Sequence, residues 1–342
     1  MVKKNLDKEQ VGRENVFRDS EEFERELTGE SINGYDFNKG VNYPEILKSF
    51  ATTGCQASIF HRAKEIIDLM RENNAKIFLG YTSSMVTSGL RDVFRYLVEH
   101  KMVHCVVTTG GGIEEDFMKC LGDFVLGDFR ASGADLRNKS INRTGNIFVP
   151  NSRYLLFEKF AMPILAELGE EQKKTGKPIT PSEIIWKLGE KINNPKSIYY
   201  WAWKNQIPVY CQSILDGSFG DMVYFFKYQK GNENFFVDVS EDSKKLIDET
   251  FGIEKSGVII LGTGVVKHSI LNAHVYRNGA DYAVYINNAQ EFDGSDAGAL
   301  PEEAVSWGKI KPEAAYTKVY GDATILFPLL VAETFASPPT HP

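Results

Sequence analysis

The residues best suited to chemistry lie in one stretch, Gln290 to Ile310, where five carboxylates, two serines, one tryptophan and one lysine fall within 21 residues. Asp293, Asp296, Glu302 and Glu303 make an anionic collar, and Trp307 supplies a flat π face. Carboxylates combined with an aromatic face suit an organic polycation. Lys309 follows Gly308, which lets the backbone turn sharply. A lone lysine beside apolar and aromatic surface is the residue type whose pKa falls far enough to give a neutral amine nucleophile. The same composition also describes a solvated acidic turn with a surface lysine, since charged loop residues are mostly exposed. Pro301 with Gly294, Gly298 and Gly308 makes the stretch a long loop with one helical turn at Glu302 to Ser306, and a loop of that length inside a domain is usually functional.

Other chemistry-bearing residues follow short apolar runs. Thr82 to Gly89 and Thr108 to Asp116 each place hydroxyls and small residues ahead of a helical stretch, where backbone N–H groups form a phosphate cradle. Neither matches G-x-G-x-x-G, and tight strand-to-helix turns would use the same glycines. Asp216 to Asp221 repeats the acidic, glycine-containing style of the central loop. His268 sits in Gly262 to His268 near a helix start and is a candidate general base. His100 and His104 read as structural or surface residues, and no His, Cys and carboxylate group has metal-ligand spacing.

These residues need a scaffold, and composition bounds it. The 342-residue chain is 42% hydrophobic and 25% charged, the balance of a globular protein. A net charge of -7 disfavours nucleic acid and favours cationic partners. Cys55, Cys105, Cys120 and Cys211 are too scattered for a C-x-x-C motif and read as thiols of a reducing compartment. Met1 to Arg18 lacks the apolar core of a signal peptide, and Gly257 to Val266 is about half a membrane span. The expectation is a cytoplasmic protein with no membrane segment.

Apolar β-prone runs predict strands at Ala75 to Tyr81, Val103 to Thr108, Asn146 to Val149, Pro208 to Gln212, Asn234 to Val239, Gly257 to Leu261, Tyr282 to Ile286 and Lys318 to Tyr320. Helical patterns fill Pro44 to Ala51, Gln56 to Glu72, Ser88 to Lys101, Leu155 to Glu167 and Thr180 to Ile192, the last opening on a capping box with proline at its first position. Strands interleaved with helices predict an α/β fold, a doubly wound, mostly parallel, Rossmann-like sheet with an N-terminal helical extension. Residues 1–30 form a charged arm in which Glu21 to Leu27 is the better helical pattern, 31–336 one large domain, and 337–342 a proline-rich disordered tail. Ligands of such a sheet bind at the carboxyl ends of its strands.

Glu302 to Lys309 resembles the signature around the imine-forming lysine of the deoxyhypusine synthase family. Tyr35 to Tyr43, Thr52 to Gly54, Ile113 to Asp116, Asp216 to Asp221, Gly264 to His268, Arg277 to Tyr282 and Phe327 to Phe335 extend the likeness in colinear order. The resemblance implies that NAD oxidises spermidine, that Lys309 captures the aminobutyl portion as an imine with loss of diaminopropane, and that a lysine of the hypusine-bearing translation factor precursor receives it. It implies Lys309 as nucleophile and His268 as base, with Glu114, Glu115, Asp221, Gly294, Ser295, Asp296, Glu303 and Trp307 around spermidine. It places NAD against Ser83, Ser84, Met85, Val86, Thr87, Thr109, Gly110, Gly111, Glu115, Asp216, Thr263, Asn288, Ala289, Asp322 and Ala323, and implies a homotetramer. The sequence departs from the family pattern at Ser84, Thr263 and Asn288, all on cofactor positions. Two alternatives share the scaffold: homospermidine synthase, which delivers the aminobutyl group to putrescine, and a regulatory subunit of a catalytic paralogue, against which the presence of Lys309, His268, Glu303 and Trp307 argues.

Overall fold

The computed structural model describes residues 7–24 and 26–336. Nine strands are present among them: β1 (Lys76–Tyr81), β2 (Cys105–Val107), β3 (Val125–Leu126), β4 (Ile141–Thr144), β5 (Ile147–Pro150), β6 (Val209–Tyr210), β7 (Ser256–Leu261), β8 (Ala280–Asn287) and β9 (Ile310–Tyr320). Six of them form one sheet in the order β6-β2-β1-β7-β8-β9, every neighbouring pair parallel. The chain builds outward from β1 through β2 to β6, then returns to the other side of β1 with β7, β8 and β9. That reversal is the strand order of doubly wound dinucleotide-binding sheets.

Strand periodicity divides the apolar residues between two cores. Ile77, Leu79 and Tyr81 of β1 and Ile259 and Leu261 of β7 face one layer, which includes Phe60 and Ile66 of the Cys55–Glu72 helix and Phe327 of the Ala323–Glu333 helix. Phe78, Val258 and Ile260 face the other, with Val266 and Ile270 of the Val265–Val275 helix. A strand buried on both faces reads as an unbroken apolar run, which is why β1 and β7 were visible in sequence. The expected capping box is present, with Thr180 Oγ1 accepting from Glu183 N and Thr180 N donating to the Glu183 carboxylate.

Several expected elements differ. The run at Asn146 to Val149 is β5, and it belongs to a separate antiparallel sheet ordered β3-β5-β4. Asn234 to Val239 is no strand; it contributes an isolated bridge between Ile179 and Val237, then Asp238 caps the Val239–Asp248 helix. β9 begins at Ile310, eight residues earlier than the run at Lys318 predicts. Pro312 and Glu313 disguise its start, and the register with β8 jumps from Ala280↔Ile310 to Tyr282↔Ala315 to absorb them. In the N-terminal arm the longer helix is Lys8–Val16, capped by Asp7, whereas the pattern at Glu21 to Leu27 yields only Glu21–Glu24. The tail 337–342 lies outside the described residues. No helix among the described residues is long and apolar enough to cross a membrane.

Candidate active site

Strand order puts the binding crevice over the carboxyl ends of β1 and β7, where the chain changes direction across the sheet. Three helices start at or beside that edge without a side-chain cap: Ser83–Thr87 after β1, Gly110–Leu121 after β2 and Val265–Val275 after β7. Thr109 could cap the second of these, but its hydroxyl bonds to Ser83 Oγ at 2.8 Å instead. Gly110 N–H donates to Asp216 Oδ1 at 3.1 Å, and a Cβ on Gly110 would stand 2.3 Å from that oxygen. Gly111 likewise leaves room for Ser83. Glycine is required here by close approach, which gathers these N–H groups and hydroxyls into a cradle at the strand ends.

Two adjacent carboxyls flank this cradle. Glu114 is buried and accepts from Phe219 N at 2.7 Å, capping the Ser218–Lys227 helix. Burial pushes its pKa up to about 7, against those backbone hydrogen bonds and with the charges of Asp216 and Asp221 adding to the rise. Burial pushes Glu115 to about 7 as well, opposed by a short hydrogen bond from Thr87 and reinforced by Glu114. Lys119 holds the far end of the Ser83–Thr87 helix, donating to the carbonyls of Val86, Thr87 and Ser88 at 2.9, 2.9 and 2.7 Å. Burial and the neighbouring Arg91 lower its pKa to about 8. Ser84 is exposed, Met85 half-buried and Val86 buried.

A second group surrounds the 288–300 loop, which leaves the carboxyl end of β8. Gly298 passes so close to Gln290 that a Cβ would lie 1.5 Å from the Gln290 carbonyl oxygen, so the loop closes on itself only with glycine there. Lys267 Nζ donates to Asp296 O at 2.6 Å and Ala299 O at 3.0 Å, and Lys318 Nζ to Ala289 O at 2.8 Å and Gly298 O at 2.7 Å. The Asp296 carboxylate stands 3.7 Å from His268 Nδ1, and its Oδ2 is buried without a partner. The Tyr285 hydroxyl is a second buried group without a partner, and the Asp296 charge adds to the burial that raises its pKa. Lys309 Nζ lies 5.6 Å from the centroid of Trp307. Trp307 is 66% exposed, so the indole gives Lys309 an aromatic neighbour but not the enclosure its sequence suggests. Glu303, Asp296, Lys318 and Lys309 all act electrostatically on Lys267, which marks them as one cluster.

The remaining candidates other than Lys309 lie on the same edge of the sheet, after the strand ends. Thr263 is half-buried between Gly262 and Gly264, Asn288 and Ala289 follow β8, and Asp322 caps the Ala323–Glu333 helix through Thr324 N at 2.8 Å. Gly294 adopts φ +72 beside Ser295, whose N–H donates to Asp293. Lys309 itself precedes β9, and its carbonyl accepts from Ala280 N, the first residue of β8. Its backbone therefore sits at the amino end of the sheet, opposite the crevice. Among the described residues no hydrogen bond or ion pair joins Glu114, Glu115, Asp216 or Asp221 to Asp296, Glu303 or Lys309. A cavity of about 680 Å³ opens between the Ser152–Thr175, Pro181–Ile192 and Ile198–Asn205 helices and is lined by none of these residues. Residue chemistry, not volume, locates the site. The sequence offers Lys267 only as a lysine beside the His268 motif, and nothing in it marks Lys119, Lys267 or Lys318 as ties to backbone carbonyls.

A parallel sheet in this order, with backbone N–H groups and hydroxyls gathered at its reversal point, defines an α/β protein of the doubly wound class. The deoxyhypusine synthase family model matches residues 45–334. Deoxyhypusine synthase of Senecio vernalis is 50% identical over 348 residues, covering 94% of this chain and 93% of its own. The Nicotiana tabacum enzyme of the same name is 49% identical with the same coverage. A crystal structure of an Entamoeba histolytica protein assigned as a deoxyhypusine synthase aligns at TM-score 0.66 and 34% identity over 89% of this chain and 97% of its own. The chain belongs to the deoxyhypusine synthase family.

Proposed function

We propose that the protein is an NAD-dependent aminobutyltransferase that moves the four-carbon amine of spermidine, through an imine on Lys309, to a lysine of the hypusine-bearing translation factor precursor. The observation that carries this reading is the buried, unpartnered Asp296 Oδ2 beside His268, in the loop that leads to Trp307 and Lys309. An orphaned carboxylate oxygen is costly unless a ligand cation or donor meets it. Spermidine brings ammonium groups for Asp296 and Glu303 and methylenes for Trp307.

The cradle of Thr109, Gly110, Gly111, Ser83 and Asp216 fits a dinucleotide, with Glu115 at its rim. NAD bound there would supply the hydride acceptor and, at the close of the cycle, the hydride donor. His268 takes the proton that the secondary amine of spermidine gives up, and Asp296 stabilises the resulting imidazolium across 3.7 Å. The Lys309 amine then adds to the imine carbon, its two N–H protons pass to the departing nitrogen, and the bond from that carbon to that nitrogen breaks as diaminopropane leaves. The acceptor lysine displaces Lys309 in the same way, restoring the free amine. Because the cradle and the lysine group are not joined within one chain, the reading includes a homotetramer whose subunits complete each other's sites. The four unpaired cysteines suit a reducing, cytoplasmic compartment.

The test is incubation of the purified protein with labelled spermidine, NAD and the precursor, with borohydride added during turnover. We expect label on the precursor and a trapped adduct on Lys309. Lys309→Arg should give neither, since a guanidinium stays charged and cannot attack. An adduct on Lys267 would overturn the assignment, and transfer to putrescine but not to the precursor would identify a homospermidine synthase.

A further inference from the structure

The 289–299 segment has little secondary structure of its own. Its described ties include Ala289 N to Asn287 Oδ1, Gly294 N to Glu291 O and Ser295 N to Asp293 Oδ1, which are all local. Its ties to other elements are Gln290 Nε2, which donates to Tyr320 Oη at 2.9 Å, the Asp296–His268 pair at 3.7 Å, and two lysines on different elements that hold its carbonyls. Lys267 lies on the Val265–Val275 helix, is 1% exposed, and spreads its ammonium over Asp296 O, Ala299 O and, at 5.1 Å, the face of Tyr285. Lys318 lies on β9 and bridges Ala289 O and Gly298 O. Neither ammonium forms an ion pair among the described residues. A desolvated cation given carbonyls rather than a carboxylate as partners is fixed by geometry and directs where that backbone runs.

We propose that Lys267 and Lys318 are positioning residues that clamp the 289–299 segment by its carbonyl oxygens, and so set where Asp296 stands beside His268. The inference rests on the function proposed above for the identity of the ligand, while the clamp itself is read without any ligand. The two lysines divide the task. Lys267 grips the end that carries Asp296, and Lys318 grips both the Ala289 end, next to the cofactor positions, and Gly298.

Lys267→Met and Lys318→Met keep the aliphatic stem and remove the donors. Hydrogen exchange of the ligand-free full chain should rise in 289–299 in both variants, with the amides of β1 and β7 unchanged. Spermidine affinity should fall about tenfold or more in both, the expected scale for lost charge-assisted hydrogen bonds. NAD affinity should hold in Lys267→Met and fall in Lys318→Met, and Lys318→Arg should retain both. Unchanged exchange in 289–299, or exchange raised across the whole sheet with both ligands weakened together, would overturn the clamp. If Lys267→Met does not fold, Lys318→Met and Lys318→Arg decide alone. Wild-type protein that binds no spermidine refutes the proposed function, and the exchange measurement still decides the clamp.

Discussion

Glu114 and Glu115 show how a residue's role depends on what its neighbours ask of it. Both are acids in an acidic motif, and sequence offers them equally to a polycation. In the fold Glu114 spends an oxygen on a helix start, while Glu115 meets Thr87 at the cradle's rim. Burial lifts both to about 7 from an ordinary carboxyl value of 4.5. A carboxyl whose folded pKa lies above its unfolded one binds more protons when folded, so it lowers stability progressively as pH rises from about 4.5 to about 7, and the loss then persists. Glu115→Gln removes that penalty. The variant should be more stable than wild type at pH 8 by on the order of 1–3 kcal/mol and match it at acid pH. Thermal melts at several pH values check this, and a stability difference independent of pH would show that Glu115 is not desolvated.

At the scale of elements, the close approach of Gly110 to the loop after β6 ties two strand ends into one cradle. Gly110→Ala puts a methyl 2.3 Å from Asp216 Oδ1 and 2.9 Å from Ser213 O, so the loop must move. Overpacking of this kind costs about 1–3 kcal/mol of stability, and NAD affinity should fall with it. A melt together with a cofactor titration measures both, and unchanged NAD binding would remove the cradle from the cofactor site. Sequence reached these elements unevenly. β1 and β7 were legible because both their faces are apolar, and the Thr180 box because its chemistry is local. The start of β9 was not, since a bulge lets Pro312 and Glu313 sit in a strand that periodicity would end. Nor was the roster of loop-holding lysines, because the partners of Lys119, Lys267 and Lys318 are carbonyls, which every residue carries.

For the whole molecule, local pattern reveals least. Each site motif was visible, yet the placement of Lys309 at the opposite end of the sheet from the cradle follows from the path of the chain between β8 and β9. The surface points the same way as that separation. Phe17, Phe23, Leu27, Ile32, Phe37 and Tyr43 are all exposed along one stretch of the N-terminal region. A subunit contact in the proposed tetramer would cover such residues. We expect light scattering to give four times the 38.5 kDa chain mass. A monomeric mass at working concentration, with activity retained, would contradict the assembly.

The ladder bond from Ala280 to Lys309 fixes more than a strand end. It anchors the backbone of the proposed carrier of the aminobutyl group to the first residue of β8, so the cargo can travel no farther than one lysine side chain swings. Long-distance delivery then falls to the recipient. In the proposed transfer a macromolecular acceptor brings its own lysine within that reach of Lys309.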